Sequence, residues 1–166
     1  MFDIFSFYLD LLKTDPFSFG DPWAEFPKSD TAQFTGELRS LLATNIHQKN
    51  DLGLLWTLGL IFQDGPDKSY VPALLDLIMA DWHTRHEDVV DLLGEICDPI
   101  AIEALYVRAI AVPEYDEMRA LATKCIHALS CIAVPVAIEK IELLAESQDS
   151  LIREKAKFYL QHIKKE

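Results

Sequence analysis

Basic residues are scarce in this chain: 15 Lys and Arg stand against 27 Asp and Glu, a formal net charge of −12 over 166 residues. Glycine is scarce too, at six residues, and no Gly-rich phosphate-cradling loop, Gly-x-Ser-x-Gly or Cys-x-x-Cys occurs. The usual nucleophile and nucleotide motifs are thereby excluded. Three cysteines, an odd number in apolar surroundings, suit reduced core thiols in a cytosol better than a disulfide framework. Long hydrophobic runs are missing as well. The longest, Leu52 to Phe62 and Ile126 to Ile138, are too short to span a bilayer, and the second contains Pro135. The opening Met1 to Asp10 carries Asp3 and Asp10 and no base ahead of its apolar residues, so it does not resemble a signal peptide. A cytoplasmic location without membrane contact is expected. No segment alternates with the period of two that an exposed strand requires, so strands are not expected either.

Half of the residues are hydrophobic, enough for one domain over 1–166 with a continuous core. Their arrangement repeats. Leu93-Gly94-Glu95-Ile96-Cys97-Asp98-Pro99-Ile100-Ala101-Ile102-Glu103-Ala104-Leu105 returns 36 residues later as Leu129-Ser130-Cys131-Ile132-Ala133-Val134-Pro135-Val136-Ala137-Ile138-Glu139-Lys140-Ile141. Each copy has the end of one helix, then a proline at the first position of the next, where its missing N–H costs nothing. A period in the thirties with this grammar predicts a helical repeat array. Apolar spacing predicts helix pairs at about 70–82 with 85–97, 100–112 with 116–132, and 136–147 with 150–164. A weaker match, Leu58-Gly59-Leu60-Ile61-Phe62, adds a fourth pair at about 31–43 and 51–62. Residues 30–166 would thus be repeats. Segment 1–29 holds eight of the 17 aromatic residues and reads as a cap over the open end of the array.

Charge is distributed unevenly. Residues 1–63 carry 8 acids and 4 bases, residues 64–117 carry 13 and 3, and residues 118–166 carry 6 and 8. The middle stretch therefore contributes −10, a field that repels phosphates and attracts cationic partners. Nucleic acid is not an expected ligand.

The repeat resembles HEAT repeats of the short variety known from phycobilin lyases. Leu93-Gly94, Asp98-Pro99 and Ala104-Leu105 carry the likeness, with Ile152-Arg153, Ala156 and Leu160 matching the start of a last second helix; it extends over about residues 50–163. The resemblance implies an all-α, right-handed solenoid of about four antiparallel HEAT-like pairs behind the aromatic cap, with the second helix of each pair lining a concave groove. It says little about activity, because similar proteins include lyases, DNA glycosylases, scaffolds and inhibitors.

Glu87, Asp91 and Glu95 are spaced four apart, so they stack on one helix face with Asp88 beside them and no base in the segment. A solvated face is the plain reading; a docking site for a basic surface is the functional one. Under the resemblance, the row would face the groove. Asp98, Glu103, Glu114, Asp116 and Glu117 would extend it as rim charges. His127 falls one repeat after Asp91, and Trp82, Tyr106 and Tyr115 flank the acidic stretch as candidate anchors. His83 and His86 have a spacing that can put two imidazoles on one face, but no third ligand lies at motif distance, so no metal is expected. No catalytic set and no cofactor site are visible. The expected function is non-catalytic binding of a basic protein, in its best-fitting form an immunity protein that neutralises a cognate bacterial toxin. A HEAT-like enzyme of bilin-lyase or DNA-glycosylase type and a regulatory scaffold are the alternatives.

Overall fold

The computed structural model describes residues 2–16, 20–27, 33–111 and 113–163. Among them every regular element is helical: α1 (Ile4–Leu11), α2 (Thr35–Gln48), α3 (Asp51–Asp64), α4 (Val71–Ile78), α5 (His86–Ile96), α6 (Ile102–Ile110), α7 (Ala120–Ile132), α8 (Pro135–Leu144) and α9 (Ser150–Ile163). Short 3-10 turns, Lys68–Tyr70 and Pro99–Ala101, lead into α4 and α6. The chain divides into two compact units: Met1–Ala73 with Asp81–Arg85, and Leu74–Ala80 with His86–Glu166.

In the first unit, α2 packs on α3 and α1 touches α3. At the chain's start Phe2, Phe7, Phe26 and Phe34 form a cluster with centroids 5.3–5.9 Å apart, Phe26 buried and the other three half-buried, while Phe5 is exposed and Phe17 and Phe19 lie outside the described residues. Trp23 meets Trp56 edge-on at 5.8 Å, lying where a Cβ on Gly59 would come within 2.5 Å of its ring. Glycine at 59 is what lets the indole sit on α3. The same unit holds a polar network. Asn45 Oδ1 accepts from Tyr8 Oη and Asn50 Nδ2, while Asn45 Nδ2 donates to Thr57 Oγ1, whose hydroxyl reaches the Gly53 carbonyl. Asn45 and Thr57 are buried with their bonds made, which ties α1, α2 and α3 into one register. Helix α1 was not among the expected helices; Asp3 starts it by accepting from the Phe5 and Ser6 amides.

In the second unit, α7 is the hub, packing on α5, α6, α8 and α9, while α8 also meets α6 and α9. The 36-residue recurrence is written into the backbone. Cys97 and Ala133 follow α5 and α7 at matching positions, and both adopt left-handed φ, 53° and 54°. Each donates its amide to a matching leucine carbonyl, Leu93 or Leu129, and both leucines are fully buried. The prolines then open the next helical segments, Pro99 behind an Asp98 side chain that accepts from the Ile100 amide, and Pro135 behind Val134, which supplies no side-chain cap. A Cβ on Gly94 would lie 3.2 Å from that of Ala128, so small residues set how closely α5 and α7 approach. Helix α7 starts at Ala120, four residues later than its apolar spacing suggests. Asp116 Oδ1 caps the Ala120 amide and Arg119 sits at φ 57°, which together turn 116–119 into an entry loop.

Candidate functional site

The acidic row lies on α5 as its spacing requires. Val89, Val90, Leu92 and Leu93 are buried, Glu87, Asp88 and Asp91 are half-buried and Glu95 is exposed. The expectation of a row without a base holds for the segment alone and fails in three dimensions. Lys124, projecting from the neighbouring α7, lies 2.5 Å from Asp91 and 3.2 Å from Glu87. One ammonium thus bridges two successive rungs of the ladder. Burial disfavours the charged amine, but hydrogen bonds and attraction from Asp91 and Glu87 outweigh it and hold the Lys124 pKa above the usual lysine range. Because the bridging lysine lies 33 residues from Asp91, no local spacing rule could have revealed it. The row keeps a negative surplus that runs toward Glu95.

His127 is exposed on α7, one repeat after Asp91. Its ring stands 5.5 Å from that of Tyr159 on α9, and its Nε2 lies 3.5 Å from Cys131 Sγ. Of the cysteines expected to be core thiols, only Cys125 is buried, and burial pushes its thiol up to about 12; Cys97 is half-buried and Cys131 exposed. All three are free.

The supposed rim resolves into different roles. Glu117 and Glu114 are exposed. Asp116 is not a rim charge: only 5% of it is accessible, because its carboxylate turns inward to cap α7. Glu103 pairs with Lys140 at 2.6 Å, and the same ammonium sits 4.4 Å above the Tyr106 ring. Tyr106 therefore has an internal cation on its face. Trp82 is half-buried against His83, with ring centroids 4.8 Å apart. His83 is itself buried and its Nδ1 accepts the Arg85 amide proton. Among the described residues no group of three or more His, Cys, Asp or Glu is placed to hold a metal ion.

Sequence reasoning missed a polar cluster around His86 in the second unit. His86 Nε2 contacts the Ala80 carbonyl at 2.7 Å, and Nδ1 lies 2.6 Å from Tyr115 Oη. A carbonyl only accepts, so Nε2 carries the proton and Nδ1 accepts from the tyrosine hydroxyl. Burial, partly offset by the Ala80 bond and reinforced by Arg108, holds the His86 pKa below the usual histidine range. Arg108 is buried and its Nη1 lies 3.9 Å from Met79 Sδ; burial raises the Tyr115 pKa, and Arg108 opposes that rise. The signal available was an arginine in an otherwise apolar helix face, Leu105 to Ala109.

In the first unit a cleft of about 440 Å³ is lined by Arg39, Ser40, Ser69, Tyr70 and Pro72. Burial pushes the Tyr70 hydroxyl up to about 12, which makes it a poor base or nucleophile at neutral pH. No helix among the described residues is long and apolar enough to cross a membrane. No protein-family model, curated protein or solved structure matches this chain.

Proposed function

We propose that the chain is a non-catalytic binding module of HEAT-like architecture, a right-handed array of about four antiparallel helix pairs with an aromatic N-terminal cap, whose acidic α5 row engages a basic protein. The observation that carries this reading is the ladder Glu87–Lys124–Asp91 continued by exposed Glu95. It shows that the surface already holds an ammonium between carboxylates, and that one lysine does not exhaust the row. A lysine or arginine of a partner would add to the same ladder at Glu95 or compete for Asp91, with Asp88, Glu114 and Glu117 steering its approach. The best-fitting biological form is an immunity protein that masks a cationic toxin in the cytoplasm, needing neither cofactor nor nucleic acid.

The test is a comparison of wild type with Glu87→Lys/Asp91→Lys/Glu95→Lys. Each is immobilised to capture partners from the source organism, and the captured protein is then purified and titrated by calorimetry. A basic protein retained by wild type and lost by the triple variant, with helicity intact, is the expected result. Unchanged affinity of the triple variant would refute the acidic-row reading. A toxin gene beside the coding sequence would favour immunity over a scaffold role.

A further inference from the structure

Helices α5 and α7 lie side by side in a fixed register. Lys124 on α7 reaches Glu87 and Asp91 on α5, and further along the same pair a Cβ on Gly94 would lie 3.2 Å from the Ala128 Cβ and 3.4 Å from its Cα. Residue numbers rise together along both helices, so the two run parallel. Ala128 stands 34 residues after Gly94, and Cys131 stands 34 residues after Cys97. Each cysteine is thus three residues beyond the same contact, within one helical turn, about 5.4 Å, of a point where a missing side chain lets the two backbones meet. A disulfide needs Cα atoms roughly 4.4–6.8 Å apart. Helices at the usual axis spacing of roughly 8–10 Å reach that separation only on their facing sides.

The two thiols are free and differently set. Cys131, in the last turn of α7, is exposed, and its Sγ lies 3.5 Å from Nε2 of His127 on the preceding turn. Cys97, which leaves α5 with a left-handed φ of 53°, is half-buried, and its Sγ donates to the Gly94 carbonyl at 2.8 Å. Desolvation raises the Cys131 pKa although the residue is exposed, and Cys97 raises it further, as a second thiol within electrostatic reach should. The repeat itself does not ask for sulfur at either place. One repeat away, Ala133 stands where Cys97 does and Glu95 where Cys131 does. Cys125 is different, fully buried and with its thiol pushed up to about 12, and so inert.

From this register we infer that Cys97 and Cys131 form a redox-active pair, a dithiol that a low-molecular-weight disulfide converts into an intramolecular bond joining the ends of α5 and α7. Cys131, the exposed thiol, loses its proton to His127 or to solvent and attacks one sulfur of the oxidant. A mixed disulfide forms on Cys131 and one thiolate of the oxidant leaves. Cys97 then attacks the Cys131 sulfur, the intramolecular bond forms, and the second thiolate leaves. Two protein thiols are oxidised, one disulfide is reduced, and the two cysteine protons end on the two released thiols. The pair stands independently of the acidic-row reading.

The test uses the whole chain, reduced and then incubated with glutathione disulfide at mildly alkaline pH. The reaction is quenched by alkylation, and the protein is digested without reduction and mapped by mass spectrometry. A linked Cys97–Cys131 peptide pair that dithiothreitol separates is expected, with Cys125 alkylated only after unfolding. In Cys97→Ser the reaction should stop at a glutathione adduct on Cys131. In Cys131→Ser the remaining half-buried Cys97 should react at least about tenfold more slowly. The wild-type map decides by itself if a serine variant fails to fold. A lasting glutathione adduct on wild-type Cys131 with Cys97 still free, covalent dimers joined through Cys131, or no loss of thiol would each overturn the pair.

Discussion

At the scale of single residues, Lys124 and His86 change what the acidic surface means. Lys124 is an internal counterion, so a partner's cation must share or displace it. Lys124→Gln should therefore raise affinity for the basic partner severalfold, about 0.5–1 kcal/mol for one partly exposed charge. The same change should lower folding stability by a similar amount, since Glu87 and Asp91 then repel without a mediator. A calorimetric titration showing weaker binding for Lys124→Gln would mean that the lysine itself contacts the partner. His86 has a depressed folded pKa, so the unfolded state takes up its proton first as pH falls. Stability should be constant above about pH 6.5, the ordinary histidine value, and decline below it toward the folded pKa. In His86→Gln, whose amide can still donate to Ala80 O, denaturant midpoints between about pH 6.5 and 5 should lose that decline. An identical slope in the variant would assign it to other groups.

At the scale of the element, the two copies of the repeat act as controls for each other. Ala133 adopts left-handed φ at the end of α7, where glycine pays no steric penalty, so Ala133→Gly should stabilise by about 0.5–1 kcal/mol after the greater unfolded entropy of glycine is counted. Val134 occupies the place where Asp98 caps the preceding copy, with a similarly extended backbone. Val134→Asp should add an N-cap to α8 worth about 0.5–1.5 kcal/mol. Urea melts of the two variants check both values; a destabilising Val134→Asp would show that Val134 is held by packing. The helices from α2 to α9 were legible in the sequence because proline, capping aspartate and apolar spacing are local signals, whereas α1 was not expected and α7 starts four residues late. What was not legible lies between elements. The Asn45–Thr57–Tyr8 network, the Lys124 bridge and the inward turn of Asp116 depend on partners 12 to 37 residues away or on a loop whose course no spacing rule specifies. Glu87, Asp91 and Glu95 could be placed on one face from sequence; that Lys124 had already claimed two of them could not.

At the scale of the whole molecule, two opposing electrostatic terms compete, and salt reports which one wins. Arg119–Asp149, Lys124–Asp91 and Lys140–Glu103 are attractive pairs that added salt weakens, each of them modest because all are open to solvent in part. Against them stands a net −12 with a surplus of ten acids in residues 64–117, a repulsion summed over many longer distances. Short-range pairs are screened less than this long-range sum, since the Debye length falls from about 30 Å at 0.01 M to about 8 Å at 0.15 M. The repulsive term should dominate, and the thermal midpoint should rise between about 0.01 M and 0.3 M sodium chloride. Glu87→Lys/Asp91→Lys/Glu95→Lys, which shifts the net charge by six units toward zero within the most acidic stretch, should show a smaller rise while keeping its helical circular dichroism. A midpoint that falls with salt in wild type would mean that the ion pairs outweigh the surplus. The acidic field would then be too well compensated internally to draw a basic protein over any distance.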